Sequence, residues 1–375
     1  MHSIKSQKIL DIRKKRLLSV LSEKEASALA ILKHEDIFYL TGFYGKESDT
    51  ILIITPKITY LLVNFIFYEE AVSCTTGGNI EVVLCKGDRL RKVAWIISSL
   101  NLDILSVEAS KINHSDFVGL SKELKKLKKK LLIQKDIIGQ LRRVKDDEEI
   151  RSISKACRIT DRAFIEVTNY SSIKISRMNE LSLANEMEGV CIKNGGYGRS
   201  FDFIIASGSS SSKPHYISSH KKISGEPLLM DFGTVYKNYF SDITRTIFLK
   251  KNSIKKKLLD LYKIVLEAQQ RAIDVCKEGI RCDELDNIAR KHIEEAGYGK
   301  NFGHGLGHGV GLEVHEEPYI TKKNKTELKE NMVITIEPGV YVPGLGGIRI
   351  EDMVIVRKNS CRNLFKSKKD FTFLV

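Results

Sequence analysis

Five side chains stand out for what their types and settings could do together: Asp231, Asp242, His308, Glu337 and Glu351. Each lies in an apolar, strand-like run or in a glycine-rich loop, where burial is expected. Four buried carboxylates repel one another unless cations or protons intervene. Two divalent cations would neutralise their four charges. Oxygen-rich ligation with one imidazole suits Mn²⁺, Co²⁺, Zn²⁺ or Fe²⁺, and is too hard for copper(I) or a cysteine-type zinc site. A pair of such cations suits hydrolysis, because water shared between them becomes a nucleophile near neutral pH.

The histidine sits in a stretch, 301–318, that holds three of the chain's nine histidines: His304, His308 and His315. Glycine occupies every odd position from Gly303 to Gly311. Each glycine inside a helix costs ~1 kcal/mol relative to alanine, so the spacing of His304 and His308 is not that of a zincin helix, and no HExxH motif is present. The glycines instead let the backbone approach something closely or take positive φ.

The two aspartates lie in LLMDFGTVYKNYFSDITRTIFL, residues 228–249. It reads as a hairpin turning at Lys237-Asn238. A two-residue turn sets Tyr236 opposite Tyr239 and Asp231 opposite Thr244. Asp242 then shares a face with Asp231, one diagonal step or about 7–8 Å away. Of the glutamates, Glu337 closes the run Met332–Glu337 and Glu351 lies within the strand expected over Gly347–Val356. In the latter, period two puts Arg349 and Glu351 on one face, opposite Ile348 and Ile350.

Positioning these groups takes helices around strands. A helix is expected from Asp146-Asp147-Glu148-Glu149, whose acids favour its first turn. Others are expected at Asn179–Lys193, Ile254–Lys277 and Asp283–Glu295. Phe201–Ala206 reads as a strand leading through a serine-rich loop to Lys213-Pro214-His215-Tyr216; taken alone, His215 reads as structural. Helices and strand pairs appear twice between 145 and 356, without a clear sequence repeat.

Residues 1–136 alternate instead. Strands are expected at Ala28–Leu32, Ile51–Thr55, Thr59–Val63, Ile80–Cys85 and Ile104–Val107, and helices at Ile9–Leu21, Arg91–Leu100 and Ser115–Lys129. That is an α/β layer on a mixed sheet. His34, Glu35 and Asp36 read as loop polarity, and Gln134–Val144 as an extended connection.

Composition excludes several classes. Of 375 residues 42% are hydrophobic and 29% charged, the make-up of a globular protein. No run nears the ~20 apolar residues of a membrane helix, and no signal peptide is evident. The seven cysteines lack paired spacing and read as free thiols, so a cytoplasmic setting is expected. The net charge of +14 is spread along the chain. Its densest runs, Lys125–Lys130 and Lys250–Lys257, carry no interleaved aromatics and read as solvated faces, not as a nucleic-acid site.

The motifs MDFGTVYKNYFSDITRT, GHGLGHGVGLEVHEEP, ITIEPGVYVPG and GGIRIED, with LRRVKDDEEI at 141–150, closely resemble the metal-dependent Xaa-Pro peptidases, the aminopeptidase P and prolidase family. The resemblance implies a creatinase-like α/β first domain over 1–136 and an α+β pita-bread catalytic domain over 137–375, a pseudo-twofold antiparallel sheet with flanking helices. It implies one metal on Asp231, a second on His308 and Glu337, and Asp242 and Glu351 bridging them; Mn²⁺ is expected, with Co²⁺ or Zn²⁺ as alternatives. His215, His304 and His315 would line the substrate pocket, Arg349 would orient the ligands, and Glu337 would be the general base. The expected reaction removes an N-terminal residue from peptides with proline second; the alternative is a dipeptidase, a prolidase. A homodimer is expected, its first domain limiting access. A methionine aminopeptidase would lack the large first domain and the GGIRIED ending. A creatinase, or a binding module on the same fold, would lack the ligands.

Overall fold

The computed structural model describes residues 7–23, 26–45, 49–75, 79–249 and 255–369. It divides into two compact units, 1–142 and 143–375.

The first unit runs α1 (Gln7–Glu23), β1 (Ala28–Ile31), α2 (His34–Thr41), β2 (Ile51–Ile54), β3 (Thr59–Val63), α3 (Tyr68–Thr75), β4 (Ile80–Leu84), α4 (Arg89–Ser99), β5 (Ile104–Glu108), α5 (His114–Lys126), β6 (Lys130–Gln134) and α6 (Ile138–Arg143). Its six strands form one mixed sheet in the order β4-β3-β2-β1-β5-β6. The parallel pairs are β3/β4, β1/β5 and β5/β6. Alternate residues of the inner strands, such as Ala28, Ala30, Ile51 and Ile53, pack with Val93, Ile97, Leu120 and Leu124 of α4 and α5. Two expectations fail here. His34, Glu35 and Asp36 open α2 rather than a loop, and Asp36 is wholly buried, 2.7 Å from Arg142 Nη1. The segment expected to be extended after Gln134 instead forms α6, because the Glu108 carboxylate accepts from the N–H groups of Ile137 and Ile138 and so starts the turn.

In the second unit α7 (Asp147–Thr168) begins in a capping box: Asp146 accepts from the Glu148 and Glu149 N–H groups, and Glu149 accepts from that of Asp146. Then come α8 (Ser172–Arg177), α9 (Glu180–Lys193), β7 (Ile204–Ser207), β8 (Leu228–Phe232), β9 (Val235–Tyr236), β10 (Tyr239–Phe240) and β11 (Ile243–Ile247). The second half repeats the plan with α10 (Lys256–Val275), α11 (Cys282–Glu295), β12 (Gly307–Gly309), β13 (Glu316–Ile320), β14 (Val333–Ile336), β15 (Gly339–Val342), β16 (Gly346–Arg349), β17 (Asp352–Val356) and β18 (Cys361–Asn363). The expected start of α10 at 254 lies outside the described residues. Strand pairing throughout this unit is antiparallel, in sheets β11-β8-β7, β13-β12-β14-β17-β18, β10-β9 and β15-β16.

The hairpin has the expected register, with Tyr239 opposite Tyr236 and Thr244 opposite Asp231. Lys237 and Asn238 both take positive φ, 50° and 65°, the two-residue turn that matches strand twist. The run 347–356, by contrast, is not one strand. It breaks into β16 and β17, which belong to different sheets, and Glu351 sits at the corner between them. A strand buried on all sides shows no alternation to mark such a break.

Gly233 directly follows β8, and a Cβ there would overlap the backbone oxygen of Ser241, the residue before Asp242. Gly233→Ala should therefore force β8 and β11 apart between Asp231 and Asp242. A loss of about 1–3 kcal/mol is expected from such overpacking. Thermal denaturation with and without divalent cation would show it; an unchanged melting temperature and metal affinity would contradict this account.

Candidate metal centre

The five side chains arrive from five separate points of that framework. Asp231 lies on β8, Asp242 just before β11, His308 within β12, Glu337 just after β14 and Glu351 between β16 and β17. Ligand atoms of Asp231, Asp242 and Glu351 lie within 4.8 Å of one another, as do those of His308, Glu337 and Glu351. A third group joins Asp242, His308 and His315. All line one cavity of about 470 Å³ together with His215 and His304. Lys322 and Lys323 are exposed and do not line it.

The histidine is held ready to act as a ligand. Its Nδ1 lies 3.1 Å from the Gly309 carbonyl, which only accepts, so Nδ1 carries the proton. Nε2 is left 3.3 Å from Glu337 Oε1 and 3.7 Å from Asp242 Oδ2. A Cβ on Gly307 would overlap Thr335 O, and one on Gly309 would meet Glu317 O at 2.5 Å. The glycines are thus there for close backbone approach, as their spacing suggested.

Burial pushes the Asp231 carboxyl up against the pull of Arg349. Burial and then the Asp231 charge push Asp242 well up, and burial with the Asp242 charge does the same to Glu351. Burial opposes ionisation of His308 and Glu337 too, but their hydrogen bond and opposite charges win, raising His308 to about 9 and lowering Glu337 to about 2. The residues fit divalent cations. Asp231 Oδ1 and Asp242 Oδ1 are buried with no hydrogen-bond donor, and a cation among them would satisfy both.

Cationic and hydroxyl groups frame the carboxylates. Arg349 donates to Asp231 Oδ2, to Thr244 Oγ1 at 3.0 Å and to the Tyr341 hydroxyl at 2.8 Å. Thr244 in turn donates to Glu351 at 2.7 Å. Arg245, fully buried, donates to Glu351 O at 2.6 Å and to Asp352 at 2.7 Å. His304 is differently engaged: Nδ1 donates to Gly305 O at 2.8 Å, while Nε2 lies 3.0 Å from the Tyr341 hydroxyl. His315 packs edge-on against His308, ring centroids 4.3 Å apart, and burial followed by the His308 charge lowers its pKa.

Sequence reasoning missed the outer supports. Asp286 and Arg290 of α11 pair, Arg290 donating to His304 O at 2.7 Å and Asp286 accepting from Leu306 N at 3.0 Å. Lys145 pairs at 2.7 Å with Glu316, next to His315. Asp286 and Arg290 are one helical turn apart, but their contacts to His304 and Leu306, and that of Lys145 to Glu316, span 14 to 171 positions, so no local spacing reveals them.

With this geometry the comparisons agree. Residues 151–358 match metallopeptidase family M24 and residues 13–144 match the creatinase/prolidase N-terminal domain. The chain belongs to family M24, as one of its metal-dependent Xaa-Pro peptidases. It is 36% identical over 365 residues to a Xaa-Pro dipeptidase of Pyrococcus horikoshii, covering 96% of this chain and 99% of that one. The solved Xaa-Pro dipeptidase from Bacillus anthracis superposes with a TM-score of 0.90 at 33% identity, covering 97% of this chain and all of that one. An X-Pro aminopeptidase from Thermotoga maritima gives 0.86 at 33% identity, covering 96% and 99%. The fold is therefore the pita-bread fold behind a creatinase-like domain, and the protein is an enzyme acting on Xaa-Pro bonds. No described helix is long and apolar enough to cross a membrane.

In the metal-free protein Asp231, Asp242, Glu351 and His308 all have raised pKa values. Each binds its proton more tightly folded than unfolded, so its stabilisation is present at low pH and lost as pH rises, for His308 through about 9. Glu337 runs the other way, its contribution present above 4.5 and lost as pH falls towards about 2. The melting temperature of chelated protein should thus fall from about pH 5 to about pH 9, and saturating Mn²⁺ should flatten that slope. A metal-free melting temperature rising with pH over this range would contradict the assignment.

Proposed function

We propose that this enzyme is a Xaa-Pro dipeptidase whose centre holds two divalent cations. Asp231 would serve one, His308 and Glu337 the other, and Asp242 and Glu351 both. Mn²⁺ is the ion proposed, with Co²⁺ or Zn²⁺ as alternatives. The observation that carries the two-metal reading is the pair of ligand groups sharing Glu351. When bound, such cations polarise the scissile carbonyl and make water nucleophilic near neutral pH.

The chain's own residues do the rest. Glu337, ionised beside His308, accepts a proton at its carboxylate. A proline amide nitrogen is tertiary and leaves only once protonated, so an acid is needed at the cavity. His215 and His315 line it and are exposed, and either is placed to hold that proton for the leaving nitrogen. Arg349 holds Asp231 in place, and His304 is proposed to steady Arg349 through Tyr341. We further propose that the enzyme is a cytoplasmic homodimer, a state of association that light scattering would measure.

The dipeptidase reading rests on relatives matched along nearly their whole length and named for that activity. It reverses the preference drawn from sequence alone. One observation favours the aminopeptidase reading. Among the described residues lining the cavity, Arg349 is the one permanent cation, and it is engaged with Asp231, Thr244, Tyr341 and Pro214 O. A dipeptide brings its carboxylate close to the scissile bond, and a desolvated carboxylate calls for a cation.

Ala-Pro, Ala-Pro-Ala and Ala-Pro-Ala-Ala compared by kcat/KM would separate the two. The dipeptidase reading expects at least a tenfold preference for Ala-Pro, ~1.4 kcal/mol of transition-state stabilisation. The reverse preference assigns an aminopeptidase. His308→Ala should lose metal and rate together, while His215→Ala and His315→Ala should keep metal and slow turnover by roughly 10²–10⁴-fold. Metal lost from His315→Ala would make that residue a ligand.

A further inference from the structure

Glu180 is the first residue of α9 and is wholly buried. An ionised carboxylate there costs several kcal/mol unless its oxygens are satisfied. Five donors satisfy it. Oε1 accepts from Ser207 N and Oγ, at 3.4 and 3.3 Å. Oε2 accepts from the Tyr216 hydroxyl at 2.8 Å and from Ser219 N and Oγ, both at 3.3 Å. No basic side chain pairs with it among the described ion pairs. The N-terminus of α9 favours the charge further.

Those five donors belong to three residues of one segment. Ser207 ends β7, Ser219 lies twelve positions on, and between them stand His215 and Tyr216, both lining the cavity. One carboxylate thus ties the two ends of the loop together and fixes the residue adjoining His215. With its hydroxyl committed to Glu180, Tyr216 offers the cavity a ring. The loop has other ties: Ser218 Oγ donates to Phe203 O at 2.8 Å, Arg349 to Pro214 O at 3.3 Å, and Lys221 Nζ to Ser210 Oγ at 2.7 Å.

We propose that Glu180, which does not line the cavity, is the positioning residue for His215, acting through Tyr216 and the loop 207–219. This rests on the reading of His215 as a residue of the reaction. Misplacing a reacting group by about 1 Å can cost about 10²-fold in rate, so a distant carboxylate can govern turnover without touching substrate. Glu180→Gln keeps the shape but loses the charge, and its amide N–H groups face a donor of Ser207 or Ser219.

The test is a double-mutant cycle on the Mn²⁺-loaded enzyme, with kcat on an Xaa-Pro substrate and metal content, together with the NMR signal of His215 in the diamagnetic Zn²⁺-loaded protein, assigned by its loss in His215→Ala. Glu180→Gln should lower kcat by about 10- to 100-fold, retain metal and shift the His215 signal. Glu180→Asp, which keeps the charge, should fall between it and the parent. In the His215→Ala background Glu180→Gln should cost nothing further, since both changes remove the same contribution. An equal loss in both backgrounds, an unchanged kcat, or loss of metal would overturn the proposal. Should Glu180→Gln fail to fold, Tyr216→Phe removes one of the five donors, and its smaller loss must also vanish without His215. If His215→Ala proves as fast as the parent, the catalytic reading of His215 fails. The NMR shift in Glu180→Gln then decides positioning by itself, and its absence overturns it.

Discussion

Mutual repulsion among buried carboxylates governs the second unit. Asp231, Asp242 and Glu351 are held where burial, and after it the charge of neighbouring carboxylates, push their protons on, so the fold must carry positive charge or hydrogen-bond donors to that point. Arg349 meets Asp231, and Arg245 meets the Glu351 backbone and Asp352, with Lys369 on the same Asp352 at 2.7 Å. Replacing such buried cations leaves their partners uncompensated, which costs more than an exposed pair ever contributes. The arginines therefore act less as net stabilisers than as conditions for the carboxylates being there at all.

The same constraint explains the antiparallel architecture. Ligands must converge from several directions without helices intervening, so strand ends and corners deliver them: β8 and the start of β11 from one half, β12, the end of β14 and the β16–β17 corner from the other. Close approach of backbones at that junction leaves no room for Cβ atoms at Gly233, Gly307 and Gly309. Glycine supplies this proximity, and the flanking strands repay its conformational entropy through pairing.

What was legible in the sequence follows from which interactions are local. The hairpin register could be read because period two and a two-residue turn fix every opposing pair once the turn is located. The start of α7 could be read because consecutive acids favour a helix's first turn, although sequence reasoning missed the capping box formed there by Asp146 and Glu149. The corner at Glu351 could not, since a strand buried on all sides shows no alternation to break. Nor could α2 and α6, whose anchors, Asp36 with Arg142 and Glu108 with Ile137 and Ile138, are 106 and 29–30 positions apart. The net charge of +14 has no structural counterpart at the cavity, whose lining includes no lysine and a single arginine, Arg349.

The histidines show a division of labour that residue type alone hides. His308 and His304 both donate Nδ1 to a neighbouring carbonyl, yet one turns Nε2 to carboxylates and the other to a tyrosine hydroxyl. His304 is further held from outside through its carbonyl by Arg290, and the residue after His315 is held by Lys145. His304 and the neighbour of His315 are thus each braced by a charge, Arg290 or Lys145, that does not itself line the cavity. Rotamer freedom at the cavity would otherwise have to be lost on each binding event, whereas a charge pair buried during folding removes it beforehand. Precision at the site is accordingly a property of the layer behind it.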